Sequence, residues 1–381
     1  MSLDRRSMWI GFLVVLALVR PASAKLPVNS LQFAVGFGVE EKASPEQEIL
    51  ALWKRYLTEP SDSLRATLWS ASERGTGEGY DLVGAYVYQG FTRFTVVDVG
   101  PAAGLSRTYV IRTLVSAVED STLDVRPLAL YRVYVMMEDG RWVLANALPR
   151  TTREWQRDTV GKIEFIYPAD HAFDRRRARA TAVFADSLAR AFELPEPDPL
   201  TYYFTDDLAE TLRALGLEFF PLGGDPVGGR SNPLLRHVYV GSASNGEGYR
   251  HEVAHIILAP ELSSRTHGLV AEGLMTWTGG SAGLDYSDLL PALAQYLSGR
   301  PDLSLQRVLE DPPKRRGTLD VGYTGIAVLC KLVFGRAGLP GLRALLSAGR
   351  DPETIVRTAA ATLGVSPAQL NAMWRKECGV R

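Results

Sequence analysis

Apolar and polar positions divide this chain into three stretches: helices followed by strand-like runs, then strands and helices in alternation, then helices alone. In the first, Ser44-Pro45-Glu46 opens a helix predicted to reach about Thr58, with the proline in its first turn, and Ser61-Asp62-Ser63 opens a second. Strand-like runs follow at Tyr80 to Tyr88, Phe91 to Val99, Thr108 to Val118, Arg126 to Glu138 and Arg141 to Ala147. Asp139-Gly140, between the last two, is a hairpin turn signal. Thr151 to Asp158 is polar and irregular and reads as a connector.

Beyond it, Ile163 to Tyr167 reads as a strand, Phe173 to Phe192 as a long amphipathic helix and Leu200 to Phe204 as a strand. A Gly/Pro-rich loop at 221–233 precedes another strand, His237 to Ser242. The last stretch predicts helices near 286–298, 322–336, 339–348, 352–363 and 367–377, and Asp351-Pro352 and Ser366-Pro367 are cap-plus-proline starts for the final two. The expected fold class is α+β, with residues 30–150 forming a helix-plus-antiparallel-sheet cone and 158–381 a separate domain of mixed sheet and helices.

The chain opens differently. Arg5 and Arg6 precede an apolar run from Met8 to Val19, and Ala22-Ser23-Ala24 supplies a small-x-small site before Lys25, which predicts a secretory signal peptide over residues 1–24. No other segment has the uninterrupted apolar length of a membrane span, so the mature protein is expected to be secreted or periplasmic. Among 381 residues there are 42 basic and 43 acidic side chains; cleavage takes away Arg5, Arg6 and Arg20 and one acid, Asp4, leaving 39 against 42. That balance speaks against a nucleic-acid partner, which requires a basic face. The two cysteines, Cys330 and Cys378, lack the spacing of a metal or redox pair, and whether they form a disulfide is not legible.

Candidate chemistry is concentrated in His251-Glu252-Val253-Ala254-His255. On a helix, histidines four apart share a face, so two imidazoles can hold one Zn²⁺ while Glu252 reaches a water beside it as general base. A third ligand is offered by Glu272, the single acid in the apolar stretch Gly268 to Trp277; burying such a carboxylate is costly unless a cation or hydrogen bonds meet it. Two His, one Glu and an open position make the hydrolytic arrangement.

HEVAH followed by VAEGLMTW resembles the gluzincin metallopeptidases, and Ala271-Glu272-Gly273-Leu274 is similar to the bacterial peptidase-MA-like group. The resemblance covers roughly residues 160 to 381. It implies a two-lobed zincin-like domain with the metal in a cleft, His251, His255 and Glu272 as ligands, Glu252 as base and a peptide substrate. Two departures stand out. Sixteen residues separate His255 from Glu272, against the eighteen usual in gluzincin aminopeptidases, and no Gly-x-Met-Glu-Asn motif lies upstream, so aminopeptidase specificity is not implied. Residues 30–150 resemble an NTF2-like or cystatin-like cone in element order alone; Tyr86, Tyr88, Phe91, Phe94 and Tyr109 there read as ordinary strand residues.

Similar peptidases carry a Tyr followed by a Gly at the start of a later helix, as Tyr323-Thr324-Gly325 does here. Tyr323 either donates to the oxyanion or packs at a helix start with its hydroxyl in water; Tyr249, Tyr286 and Arg250 are weaker rivals. Residues 237–242 are either the edge strand that pairs with substrate, as the resemblance implies, or an internal strand. His267 is expected in a loop. Other classes compatible with the sequence are a non-catalytic envelope binding or assembly protein and a zinc amidase acting on a cell-wall bond.

Overall fold

Two twisted sheets grow out of the strand-like runs. A computed structural model of the chain describes residues 32–40, 42–74, 92–119, 124–219 and 227–380. The proposed leader, the run at 80–88 and the side chains of Tyr86, Tyr88 and Phe91 lie outside those residues. The fold is mixed α+β, with two sheets and many helices.

The first sheet orders β1 (Gln32–Val35), β2 (Thr92–Pro101), β3 (Thr108–Glu119), β4 (Asp124–Glu138) and β5 (Arg141–Ala145) side by side, antiparallel except for β1 against β2. Asp139 and Gly140 both have positive φ, 50° and 76°, as a tight β4–β5 hairpin needs. Helix α1 (Glu46–Thr58) buries Ile49, Trp53, Tyr56 and Leu57, in one core with Phe94, Val96 and Val115 of the sheet. The Trp53 indole N–H finds an acceptor there, Thr113 Oγ1 at 2.9 Å. Ser61 caps α2 (Asp62–Ala66), and α3 (Ala71–Arg74) is a single turn. Phe94 is fully buried and Tyr109 packs edge-on against Trp142, both as ordinary sheet residues.

The polar connector proves shorter than its composition suggests. After α4 (Leu148–Thr151), the strand β6 (Gln156–Val160) already pairs with β7 (Ile163–Tyr167). Because β6 is an outer strand with most of its residues in solvent, Gln-Arg-Asp-Thr needs no apolar alternation, and the period-2 signal is lost. The second sheet runs β10 (Gly228–Asn232), β11 (His237–Gly241), β8 (Leu200–Thr205), β7, β6, with the inner three strands parallel. Helix α5 (Arg175–Ala191) carries the chain from β7 to β8. The strand at 237–241 is therefore internal; the outer strand on that side is β10, inside the stretch expected to be a loop. Its Gly-Gly-Arg-Ser-Asn sequence has no strand propensity, and only pairing to β11 makes it extended.

Between the sheets, α6 (Leu208–Ala214) leads to β9 (Leu217–Phe219), which pairs with β4 of the first sheet. Gly216 makes the crossing possible: at φ +90°, a Cβ there would lie 2.5 Å from the Arg132 carbonyl oxygen.

The helical stretch comprises α7 (Arg250–Ile257), α8 (Gly268–Gly279), α9 (Tyr286–Ser298), α10 (Leu305–Glu310), α11 (Val321–Leu346), α12 (Pro352–Thr362) and α13 (Pro367–Glu377). The two helices expected at 322–336 and 339–348 are the two halves of α11, separated at Gly338, whose φ of 62° is not helical. Asp351 and Ser366 cap the last two, Ser366 with Gln369 in a capping box. By length and composition α11 is the one helix among the described residues that could cross a membrane, and most of it is buried in the core. Cys330 and Cys378 are buried free thiols.

Candidate metal centre

A short Gly246–Gly248 turn delivers the chain into α7, and buried polar contacts hold that turn in place. The Tyr202 hydroxyl donates to the Gly246 carbonyl at 2.7 Å and accepts from Tyr249 N–H at 3.1 Å. Glu247, fully buried, accepts from the Asp174 N–H at 2.7 Å and pairs with His171 at 3.1 Å. The entry to α7 is thus tied to the loop after β7 and to β8, which fixes where the first helical turn points.

On α7 the His251 and His255 rings lie one turn apart, with centroids 5.1 Å from each other, and both are buried. His251 Nδ1 lies 2.7 Å from the Gly280 carbonyl and donates to it, which turns Nε2 toward Glu272. That carbonyl comes so near because α8 ends against α7: a Cβ on Gly279 would lie 2.8 Å from the Arg250 carbonyl oxygen.

Glu272, in the middle of α8, brings Oε2 to 3.2 Å from His251 Nε2 and 3.6 Å from His255 Nε2. One donor atom from each of the three residues lies within 4.8 Å of the others. Burial by itself would raise the Glu272 carboxyl, but the imidazoles of His255 and His251 outweigh it and hold it well below the usual carboxylate range. Burial also opposes a charge on His251, yet the hydrogen bond to Glu272 and the charges of Glu252 and Glu272 push its pKa up to about 9. The cluster thus draws positive charge to the point where three donors converge. Two imidazole nitrogens and a carboxylate, approaching from two helices, are a donor set suited to zinc.

Glu252 is buried beside the cluster, on the same helix and next to His251. It lies under the outer strand: a Cβ on Gly229 would come within 2.6 Å of Glu252 Cγ. Tyr323 is brought to the same pocket, its ring nearly parallel to the His251 imidazole at 6.5 Å between centroids. Its backbone N–H is capped by Asp320 Oδ1 at 2.9 Å. Burial first, then the charges of Glu272, Asp320 and Glu252, push the phenol far above its ordinary value, so it stays protonated and able to donate.

Of the rivals, Tyr249 also reaches the site. It precedes α7 directly, and burial followed by the Glu252 charge raises its phenol strongly. Tyr286 instead neighbours Cys378, Glu377 and Cys330, and Arg250 lies over the Phe184 ring at 5.7 Å. His267 caps α8, its Nδ1 accepting from Leu269 N–H at 3.2 Å. Sequence patterns pointed to neither Gly229 nor the Gly280 carbonyl, since backbone groups and glycines carry no chemical signature of their own.

No family model matches the chain, and no curated protein matches it. Among solved structures it is similar to a mutant of a two-domain M1 zinc metallopeptidase bound to L-arginine, at 13% identity over 74% of this chain and 63% of that one, with a TM-score of 0.30. It is also similar to the M1 zinc metallopeptidase of Deinococcus radiodurans, at 13% identity over 75% and 64%, TM-score 0.29. The third is an aminopeptidase N family protein of Idiomarina loihiensis, at 11% identity over 73% and 51%, TM-score 0.33. This chain spans less than two thirds of the length of each.

Proposed function

We propose that this chain is an exported zinc-dependent metallopeptidase, with His251, His255 and Glu272 as metal ligands and Glu252 as general base. The observation that carries the reading is the convergence of His251 Nε2, His255 Nε2 and the Glu272 carboxylate from two helices, with Glu252 buried next to the first ligand. Bound there, zinc supplies Lewis acidity toward a peptide carbonyl and toward a water.

The protein's own groups perform the rest. Glu252 removes the water's proton and returns it to the leaving amine, a shuttle that needs an ionised carboxylate within reach of both. Tyr323, protonated and facing the ligand cluster, donates to the oxyanion as the carbonyl is attacked. The Nδ1–H bond from His251 to Gly280 holds the imidazole in the tautomer that offers Nε2. The outer strand β10, unpaired on one side among the described residues, offers main-chain hydrogen bonds to an extended peptide.

In this reading residues 1–24 are a cleaved leader, 30–150 an NTF2-like or cystatin-like unit that binds or positions, and 158–381 a two-lobed zincin-like domain with one zinc. The mature protein works in the periplasm or outside the cell. Elemental analysis of protein purified without chelator should find about one zinc per chain, lost in Glu272→Ala. Glu252→Gln should keep the zinc and lose peptide hydrolysis; hydrolysis at the wild-type rate would remove the base assignment.

A further inference from the structure

Consecutive glycines weaken a strand, since each costs conformational entropy and packs no side chain, yet β10 opens with two, Gly228 and Gly229. Neither has positive φ, and their pairing to β11 runs without a bulge, so the backbone itself does not require them. Their surroundings do. A Cβ at 228 would lie 2.8 Å from Leu208 Cδ2 of α6, and a Cβ at 229 would lie 2.6 Å from Glu252 Cγ of α7. Successive strand residues face opposite sides. The outer strand is therefore wedged, with no room for a side chain on either face, between Leu208 and the proposed base.

Leu208 is held from several directions. Its backbone sits on β11, where a Cβ on Gly241 would lie 2.0 Å from Leu208 N. Asp207 caps the helix at this point, its Oδ1 accepting from Glu210 N–H at 2.7 Å. Further along α6, the Thr211 hydroxyl donates to the Val240 carbonyl at 2.7 Å, and Val240 is the residue paired with Gly229. The far end of α6 is tied to the first sheet's side of the molecule, where the Thr151 hydroxyl of α4 donates to the Ala214 carbonyl at 2.7 Å. The Leu208 side chain is buried in one core with Leu212 of its own helix, Ile49 and Trp53 of α1 and Phe94 of β2.

An unbroken line of contact thus runs from the core of the first sheet through Leu208 and the two glycines to Glu252. We propose that Leu208 is a positioning residue for Glu252: it backs the outer strand, so that the N-terminal unit, whose core it shares, sets the working place of the base. Leu208 acts through the strand and not on the reacting atoms. The proposal rests on the peptidase reading for its effect on rate, and it gives the unit at 30–150 a part in the site as the support of the base.

Two opposite changes test it in zinc-loaded mature protein acting on a peptide library. Leu208→Ala removes the backing, and Gly228→Ala adds a methyl group in the same gap and pushes the strand toward Glu252. Each should lower kcat roughly tenfold with zinc content unchanged. Exchanging the volume across the contact, Leu208→Ala together with Gly228→Ala, should bring kcat back to within about threefold of wild type, because touching residues are not additive. Leu212→Ala takes bulk from the same core one turn further along α6; it should lower the urea midpoint and leave kcat alone. Gly228→Ala opens no cavity and carries the test by itself if Leu208→Ala does not fold. Wild-type kcat in the single variants, losses that multiply in the exchanged protein, or an equal loss in Leu212→Ala overturns the proposal.

If wild type cleaves no peptide, crystal structures of wild type and the same variants decide. A Glu252 carboxylate displaced in the single variants and restored in the exchanged protein, with His251, His255 and Glu272 unmoved, would uphold the positioning role while removing the peptidase reading. A carboxylate that stays in place throughout removes both.

Discussion

Gly229 of the outer strand lies directly against Glu252 of the metal-site helix, close enough that a methyl group at position 229 would sit 2.6 Å from Glu252 Cγ and 3.2 Å from its Cδ. The outer strand and the proposed base are therefore one packed unit. A Cβ at 229 is also blocked from behind by the Tyr239 carbonyl oxygen at 3.0 Å, so the glutamate is the side that must yield.

Gly229→Ala should accordingly move the Glu252 carboxylate and leave the ligands alone. A displacement of roughly an ångström costs about a hundredfold in rate when the displaced group must reach a reacting proton. We expect kcat to fall by about that factor with zinc content unchanged. Turnover and elemental analysis on the same preparation check it, and wild-type kcat would show that strand and base are not coupled.

Gly273 plays the matching role between α8 and α11. A Cβ there would lie 2.6 Å from Ile326 Cγ2 and 2.8 Å from the Ile326 carbonyl carbon, so the two helices touch through the residue that follows Glu272. Alanine would gain up to about 1 kcal/mol of helix propensity over glycine. Overpacking against backbone costs about 1–3 kcal/mol and should win. Gly273→Ala is expected to lower the urea midpoint and to weaken zinc retention, because Glu272 and Tyr323 sit on the helices pushed apart. A midpoint at or above that of wild type would contradict the close contact.

His237 gives an acid-side signature. Burial lowers its imidazole pKa to about 4, against 6.5 for the free side chain, so the folded protein keeps it neutral beside Tyr239, whose hydroxyl lies 3.0 Å from Nδ1. Between pH 6.5 and about 4 the unfolded chain takes up a proton that the folded chain refuses, and stability falls as the pH drops through that window. Above pH 6.5 the group contributes no pH dependence. His237→Gln should therefore lose less stability than wild type between pH 6.5 and 4.5 and run parallel to it at higher pH. Unfolding free energies of both proteins across that range give the comparison, and identical acid slopes would refute the burial effect.

The helical part of the fold was readable because its signals are local. Asp351-Pro352 and Ser366-Pro367 cap and start helices by contacts within four residues, and the structure places both helices where those signals put them. The long strands of the first sheet and the Asp139-Gly140 turn were legible for the same reason. So was the pairing of His251 with His255, since a single helical turn fixes it.

Pairing and close approach between segments were not legible. Gln156–Val160, Leu217–Phe219 and Gly228–Asn232 are strands only because a neighbouring strand supplies their hydrogen-bond partners; the first and last carry no apolar alternation, and three residues are too few to show one. Sequence proposed Glu272 from the cost of a lone acid in an apolar helix, but the 3.2 Å approach to His251 depends on Gly279 and Gly273, which let α8 press against α7 and α11. The residue types and their local spacing thus specified the chemistry on offer. Whether that chemistry meets at one point was decided by tertiary packing, because the distances that matter are set by backbone contacts between helices that lie far apart in the chain.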